Sequence, residues 1–218
     1  MAYVANFKIV VISTLFAFCT SAVNADEVSN SNNSKKPIPE ATKFVTQHKG
    51  TFNDKRLKYK AVAGETYLLN KNEEPTAAIF SFDYIAASDN KNRPVTFIWN
   101  GGPGSSSNWL HMGAYGPKRV VVPSDATSPG MAPYELKEAP ETILDVTDMV
   151  FVDPVGTGYS RALGNTDSKA FWGLNQDAAS IADFIAQWLT KENRWNAPIF
   201  SLGESYGTTR AAAVSKVL

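Results

Sequence analysis

Residues 198–207 have the sequence Pro-Ile-Phe-Ser-Leu-Gly-Glu-Ser-Tyr-Gly, in which a Gly-x-Ser-x-Gly pentapeptide follows an apolar run. The apolar run predicts a strand, and the Ala-rich residues 208–218 predict the start of a helix. A serine on a sharp turn between such a strand and helix exposes its hydroxyl above the sheet, as a nucleophile must. Side chains at Gly203 and Gly207 would collide with neighbouring backbone in that turn. We therefore take Ser205 as the candidate catalytic nucleophile.

Two further apolar runs end in glycine-rich turns. Residues 94–99 (PVTFIW) lead into a Gly-Gly turn at 100–104, and residues 149–152 (MVFV) lead into a second turn at 153–158. A helix is predicted over 168–191, with Asp167 or Ser168 as its N-cap. The alternation of strands and helices predicts a parallel sheet.

The N-terminal half of the chain predicts a different kind of pairing. Strands at 57–62, 66–69 and 77–85 fit an antiparallel edge that opens the sheet, and a short helix is predicted over 41–48 with Gly50 as its stop. The predicted fold class is α/β, an α/β-hydrolase fold whose mostly parallel sheet has an antiparallel N-terminal edge and is truncated after the nucleophile elbow.

The first residues have the pattern of a targeting segment. Residues 1–25 contain Lys8, an apolar run of eleven residues at 9–19, and small Ala25 at the expected cleavage site. This pattern predicts a signal peptide. A membrane anchor is not expected, because the run is too short to span a membrane. Polar residues 26–39 predict a flexible linker, and residues 40–218 the N-terminal half of a catalytic domain. We expect an exported protein, periplasmic or secreted.

Composition excludes several classes of partner. The chain has 21 basic and 21 acidic residues and no net formal charge, so nothing attracts nucleic acid or an anionic membrane surface. Cys19, the single cysteine, lies in the predicted signal peptide and supports no disulfide framework. The expected partner is a substrate, with neither nucleic acid nor stable membrane association.

An oxyanion hole can be placed from the same motifs. In this fold one N–H comes from the residue after the nucleophile and another from the loop after the third strand. Tyr206 and Gly102 occupy those positions. Each well-aimed donor stabilises the transition state by roughly 3–4 kcal/mol.

Three blocks together resemble the serine carboxypeptidase family. They are residues 97–107 (FIWNGGPGSSS), 152–160 (VDPVGTGYS) and 203–207 (GESYG), in the family's order, and the resemblance covers roughly residues 51–218. The sequence Ser106-Ser107 with Trp109-Leu110-His111 following is closest to the bacterial branch.

The resemblance implies a reaction and roles for particular residues. Ser205 would be acylated during hydrolysis of a C-terminal peptide bond, with Gly102 and Tyr206 N–H groups binding the oxyanion. Asn100 and Glu204 match positions that bind the terminal carboxylate of a peptide substrate. Two carboxylates in contact cannot both stay charged, so this role predicts an acidic working range. No metal or organic cofactor is implied.

Departures from the family pattern keep other functions open. Ser105 stands where many members have a disulfide cysteine, and Ala114 where well-known members have a carboxylate-binding Glu. The resemblance places the triad Asp and His after Leu218, so we interpret the chain as an N-terminal fragment. Neither His48 nor His111 is expected to replace the triad His. Asp153 is interpreted as a turn residue that caps the backbone of Gly156.

Two alternatives to a carboxypeptidase therefore remain. One is an esterase or acyltransferase of the same fold, since fold alone does not decide between these reactions. The other is an inactive truncated product, of low stability because its elbow strand would be an exposed sheet edge.

Overall fold

The computed structural model describes residues 37–90, 92–125, 127–128 and 130–218. The predicted signal peptide, residues 1–25, and most of the predicted linker, residues 26–39, lie outside the described residues.

One mixed sheet dominates the described part of the chain. Its strands are β1 (Lys43–Phe52), β2 (Lys55–Leu69), β3 (Pro75–Ala86), β4 (Val95–Trp99), β7 (Asp148–Val152), β8 (Arg161–Ala162) and β9 (Ile199–Gly203). They have the order β1-β2-β3-β7-β4-β9, and the short strand β8 pairs with β3. A separate two-stranded sheet contains β5 (Lys118–Val120) and β6 (Leu136–Glu138). Strand β2 pairs antiparallel with both β1 and β3, and β3 pairs antiparallel with β7. Strands β7, β4 and β9 are parallel to one another.

The helices lie between and after the parallel strands. Helix α1 (Asn108–Leu110) continues as a π-helical turn, His111–Tyr115, and 3₁₀ turns cover Ile143–Asp145 and Ser168–Phe171. The two longer helices are α2 (Leu174–Lys191) and α3 (Tyr206–Val217). In the described part of the chain, no helix has the length and apolarity needed to cross a membrane.

The helix predicted over 41–48 is wrong, because this segment forms most of strand β1. Strand β1 pairs with β2 through ten consecutive residue pairs, from Lys43 opposite Gly64 to Phe52 opposite Lys55. Asn53 and Asp54 both have positive φ and close a two-residue hairpin turn, which fits the twist of the flanking strands. Phe44 and Val45 are exposed, so their helix-like spacing does not mark a buried face.

The predicted helix over 168–191 is present but interrupted. Asp167 caps the 3₁₀ turn by accepting a hydrogen bond from the Lys169 N–H at 2.9 Å. Gly173, with φ of +92°, then separates this turn from α2. The left-handed backbone at that glycine ends one helical segment before the next begins.

The central strands are buried on both faces, as their continuous apolar sequence predicts. On one face, Phe97 and Trp99 of β4 and Val150 of β7 pack with residues of α2 and α3. On the other face, Ile98 and Phe151 pack among Phe52, Tyr59, Leu144 and Met149. The rigid centre of the sheet thus fixes the loops that follow β4, β7 and β9.

Candidate active site

The predicted elbow is a strained turn between β9 and α3. Ser205 has φ of +55° and ψ of −124°, a backbone conformation that residues other than glycine rarely adopt. Its side chain is exposed, and its hydroxyl makes no hydrogen bond to another described residue. Its carbonyl oxygen accepts from the Thr208 N–H at 3.0 Å and from the Thr208 hydroxyl at 2.8 Å. The first turn of α3 therefore holds an available hydroxyl in place.

The glycines beside the elbow allow backbones to approach closely. A Cβ added at Gly203 would collide with the Gly207 carbonyl and lie 2.9 Å from Trp99 Nε1. At Gly207 an added Cβ would lie 3.0 Å from the Trp99 carbonyl oxygen and 3.1 Å from that of Asn100. Trp99 Nε1 also donates to the Gly207 carbonyl at 2.9 Å. These contacts explain why both flanking positions of the pentapeptide are glycine.

The Gly-Gly loop after β4 lies directly against the elbow. A Cβ added at Gly101 would be 2.6 Å from the Tyr206 nitrogen and 2.7 Å from Ser205 Cβ, and would collide with the Glu204 carbonyl. Gly102 has φ of +33°, and its carbonyl accepts from the Ser105 N–H at 2.7 Å. Neither the Gly102 N–H nor the Tyr206 N–H donates to another described residue. The two predicted oxyanion donors therefore come from adjoining segments and are both available.

Asn100 and Glu204 are in contact. Asn100 is buried, and its side-chain Nδ2 donates to Glu204 Oε2 at 3.4 Å, a long hydrogen bond. Its Oδ1 accepts from the Leu110 N–H at 3.1 Å, which fixes the orientation of the amide. Glu204 is exposed next to Ser205. An amide donor and a carboxyl group thus lie side by side at the edge where Ser205 is exposed.

Asp153 fixes the next part of the loop after β4, a role that differs from the predicted one. Its Oδ1 accepts from the Ser107 N–H at 2.8 Å and the Ser107 hydroxyl at 2.9 Å, while the Gly156 N–H bonds to the Ser160 carbonyl. Burial raises the pKa of Asp153 against the opposing effect of these bonds. The interpretation as a cap of Gly156 is wrong, because the carboxylate points across to the loop after β4.

The two histidines make contacts away from the elbow. His111 is buried, its Nε2 is 2.6 Å from the Tyr84 hydroxyl, and its ring packs against Phe82 and Phe151. Burial lowers the pKa of His111 to about 4. His48, on β1, stacks on Tyr59 with ring centroids 5.3 Å apart. Among the described residues, neither histidine hydrogen-bonds Ser205.

Arg210 is the site residue that sequence reasoning missed. This side chain of α3 is completely buried, and its Nε donates to both oxygens of Asp177 on α2, at 3.1 and 2.8 Å. Burial raises the pKa of Asp177, and the guanidinium opposes that shift. The available signal was the position of Arg210 four residues after Tyr206, on the same face of α3.

A cavity of about 480 Å³ adjoins the site. It lies among the loops after β4 and β7 and the start of α2, with lining residues that include Pro103, Pro154, Thr157, Trp172 and Tyr206. This volume is within the range of small-ligand pockets. No group of three or more potential metal-ligating side chains occurs among the described residues.

Comparison with known proteins gives the family context. The chain is 29% identical to serine carboxypeptidase-like 29 of Arabidopsis thaliana over 137 residues, covering 62% of this chain and 27% of that protein. It is 26% identical to serine carboxypeptidase-like 34 of Arabidopsis thaliana over 164 residues, covering 74% and 31%. The chain thus spans about three tenths of the length of these curated relatives.

One match among solved structures is the peroxisomal α/β-hydrolase Lpx1 of Saccharomyces cerevisiae. It matches with a TM-score of 0.41 and 16% identity, covering 81% of this chain and 40% of that one. The sequence model of the family described as serine carboxypeptidase matches residues 53–218, which is most of the chain. The predicted α/β-hydrolase fold class is confirmed, and the chain belongs to the serine carboxypeptidase family.

Proposed function

We propose that this chain carries the nucleophile and oxyanion hole of a serine-type carboxypeptidase. Ser205 attacks the carbonyl of the last peptide bond of a substrate, and the N–H groups of Gly102 and Tyr206 bind the oxyanion that forms. Release of the C-terminal amino acid leaves an acyl-enzyme on Ser205, which water then hydrolyses. The observation that carries the proposal is an exposed, strained Ser205 adjoining two available N–H donors.

The contact between Asn100 and Glu204 supports the choice of a free C-terminus as the recognised group. The Asn100 amide donates a hydrogen bond, and Glu204 shares a proton with the substrate carboxylate, because two charged carboxylates in contact repel. Binding of free-acid peptides should therefore weaken as pH rises from acidic to neutral. Glu204→Gln offers an amide donor that needs no shared proton, so this variant should lose most of that pH dependence.

The proposed mechanism also needs a general base and a group that orients it. His48 and His111 are the only histidines of the 218 residues, and both are engaged elsewhere. We propose that the catalytic His and Asp come from residues after Leu218, with export directed by residues 1–25. The bacterial branch of the family remains the proposed subgroup.

Hydrolysis of matched substrates by the full-length protein tests this function. An N-blocked peptide with a free C-terminus, its C-terminal amide and the corresponding ester would be compared at acidic pH, with Ser205→Ala as the control. The proposal expects Ser205-dependent turnover that strongly favours the free acid. Equal turnover of free acid and amide would contradict exopeptidase specificity.

The ester in the same experiment tests the esterase or acyltransferase alternative. Ala114, which stands where a second carboxylate-binding Glu occurs in the family, is exposed on the π-helical turn and favours keeping this alternative. Turnover of the ester alone would support it. Absence of any Ser205-dependent turnover would indicate an inactive product.

A further inference from the structure

The guanidinium of Arg210 connects three separate segments of the site. Besides its two bonds to Asp177 on α2, its Nη1 donates to the Asn100 carbonyl at 2.8 Å and its Nη2 to the Pro103 carbonyl at 3.4 Å. The Gly101-Gly102 pair lies between those two carbonyls in the chain. The donors of one side chain therefore hold both ends of the segment that supplies the Gly102 N–H.

The same guanidinium also contacts Tyr206, the residue that supplies the second oxyanion donor. Its central carbon lies 5.2 Å from the centre of the Tyr206 ring, in a cation–π arrangement. Burial and the neighbouring Asp177 carboxylate raise the pKa of Tyr206, so its side chain adjoins the same ion pair. Both donor-bearing segments thus depend on one buried ion pair.

We propose that Arg210, anchored by Asp177, is a positioning residue that sets the distance between the Gly102 and Tyr206 N–H groups. This inference rests on the proposed acyl transfer at Ser205. The loop and elbow already touch at Gly101, so a small movement of either segment changes the alignment of the donors. A misplacement near 1 Å can cost about 100-fold in rate.

Stability alone is a weak reason for burying this pair. Replacing a buried ion pair by apolar residues of similar volume is often neutral or stabilising. A planar fork that reaches a carboxylate and two carbonyls at fixed angles is a property of arginine that lysine lacks. Conservative replacement by lysine should therefore keep a charge near Asp177 while releasing the loop.

The test compares Arg210→Lys and Asp177→Asn with wild-type full-length protein. We would measure kcat and KM for the free-acid peptide, inhibition by a peptide aldehyde whose hemiacetal oxygen occupies the oxyanion hole, and urea unfolding. Positioning predicts that Arg210→Lys lowers kcat by roughly 10- to 100-fold and weakens the aldehyde similarly, with KM within about twofold. Asp177→Asn, which keeps the carbonyl bonds, should cause a smaller loss of kcat.

Arg194→Lys is the matched control. Arg194 is also nearly buried, also pairs with an aspartate (Asp148, 2.6 Å) and also donates to a backbone carbonyl, that of Arg93, but it lies at the opposite edge of the sheet. Its replacement should lower stability without lowering kcat of the folded protein.

The outcomes separate the inference from the proposed function. Folded Arg210→Lys with wild-type kcat and aldehyde affinity would overturn the inference, as would equal losses of kcat in Arg210→Lys and Arg194→Lys. If Arg210→Lys does not fold, unchanged kcat in Asp177→Asn overturns it and a selective loss supports it. Absence of Ser205-dependent turnover in wild-type protein instead refutes the proposed function, and the inference with it.

Discussion

The parallel strands β7, β4 and β9 begin at one edge of the sheet, the amino edge, and end at the other, the carboxyl edge. Similar ion pairs hold the two edges, but the edges differ in backbone strain. At the amino edge, Asp148 begins β7 and accepts from Arg93 at 2.9 Å, from Arg194 at 2.6 Å and from the Ala86 N–H at 3.0 Å. At the carboxyl edge, the pair of Arg210 and Asp177 has the same chemistry. Burial and charge pairing therefore do not by themselves distinguish a functional edge from a structural one.

Backbone conformation and close approach distinguish the edges. Asn193, beside Arg194 at the amino edge, also has a positive φ of +53°, but asparagine tolerates such a conformation far better than serine does. Among the described residues, the carboxyl-edge pair borders both Ser205 and glycines that admit no Cβ. Strained residues persist only where surrounding structure holds them, and they cluster at functional sites. Holding Ser205 and these tightly packed glycines in place therefore lowers the stability of the fold at the carboxyl edge, and no such arrangement is needed at the amino edge.

The largest expected effect comes from breaking the amino-edge pair. Asp148→Asn leaves two nearly buried guanidinium groups without their carboxylate, and removing one partner of such a pair costs about 3–5 kcal/mol of unfolding free energy. Urea denaturation measures this loss. Because neither of the proposed oxyanion donors, Gly102 and Tyr206, contacts Asp148, kcat of the folded fraction should stay at the wild-type value.

A fall in kcat for Asp148→Asn as large as that for Asp177→Asn would contradict the contrast between edges. It would mean that both ion pairs act on the site through the sheet as a whole.

Two buried titratable groups on strand β3 and the π-helical turn should give opposite pH dependences of stability. Burial raises the pKa of Asp83 to about 6, despite hydrogen bonds from Ser81 and Trp188, and lowers that of His111 to about 4. Ionisation of Asp83 therefore lowers the free energy of unfolding as pH rises from about 4 to 6. Protonation of His111 lowers the same free energy as pH falls from about 6.5 to 4. Each of these pKa shifts corresponds to a change of roughly 3 kcal/mol in the free energy of unfolding.

Single substitutions should expose the two contributions, which nearly cancel between pH 4 and 6 in the wild-type protein. Asp83→Asn should make stability rise with pH over this interval, and His111→Gln should make it fall. Unfolding free energies at pH 4 and 6 measure both slopes. The same slope in both variants would show that these groups do not carry the dependence.

A pair of glycine substitutions in one loop should locate the steric constraint at the carboxyl edge. Gly101→Ala places a Cβ against the Glu204 carbonyl, the Tyr206 nitrogen and Ser205 Cβ, and such overpacking costs about 1–3 kcal/mol or more. Gly104→Ala meets no atom within 4 Å and should leave stability unchanged. Thermal unfolding of both variants measures the difference, and equal stabilities would show that the loop moves away from the elbow freely.

Strong local patterns made much of the fold predictable. The runs at 94–99 and 149–152 are buried on both faces, so their continuous apolar sequence predicted strands β4 and β7 without ambiguity. The elbow was equally clear, because only a turn with positive φ and close backbone packing needs glycine on both sides of Ser205. Conformations that depend on one segment alone were therefore predictable.

Features that depend on distant segments were not predictable from local sequence. Residues 41–48 have helix-like apolar spacing, but pairing with β2 decides their conformation and leaves Phe44 exposed. Asp153 binds Ser107, 46 residues earlier, and Arg210 binds the Asn100 carbonyl, 110 residues earlier. No spacing rule identifies such contacts, because folding across the sheet brings them together.

The smallest expected effect isolates the strain at Ser205 itself. A φ of +55° with ψ of −124° is the mirror image of an ordinary extended conformation, which glycine adopts freely. Ser205→Gly should therefore relieve a strain of roughly 1–3 kcal/mol, partly offset by the greater freedom of glycine in the unfolded chain, for a net gain of about 1 kcal/mol.

Ser205→Ala is the matched control, because alanine loses the hydroxyl but keeps the Cβ that makes the conformation unfavourable. Urea unfolding should show a gain for Ser205→Gly and none for Ser205→Ala, while both variants lose turnover. Equal stability of the two variants would show that the elbow stores no strain, and the contrast between the edges would then rest on close packing alone. A gain confined to glycine would instead mean that the fold loses stability at the carboxyl edge to hold the proposed nucleophile exposed.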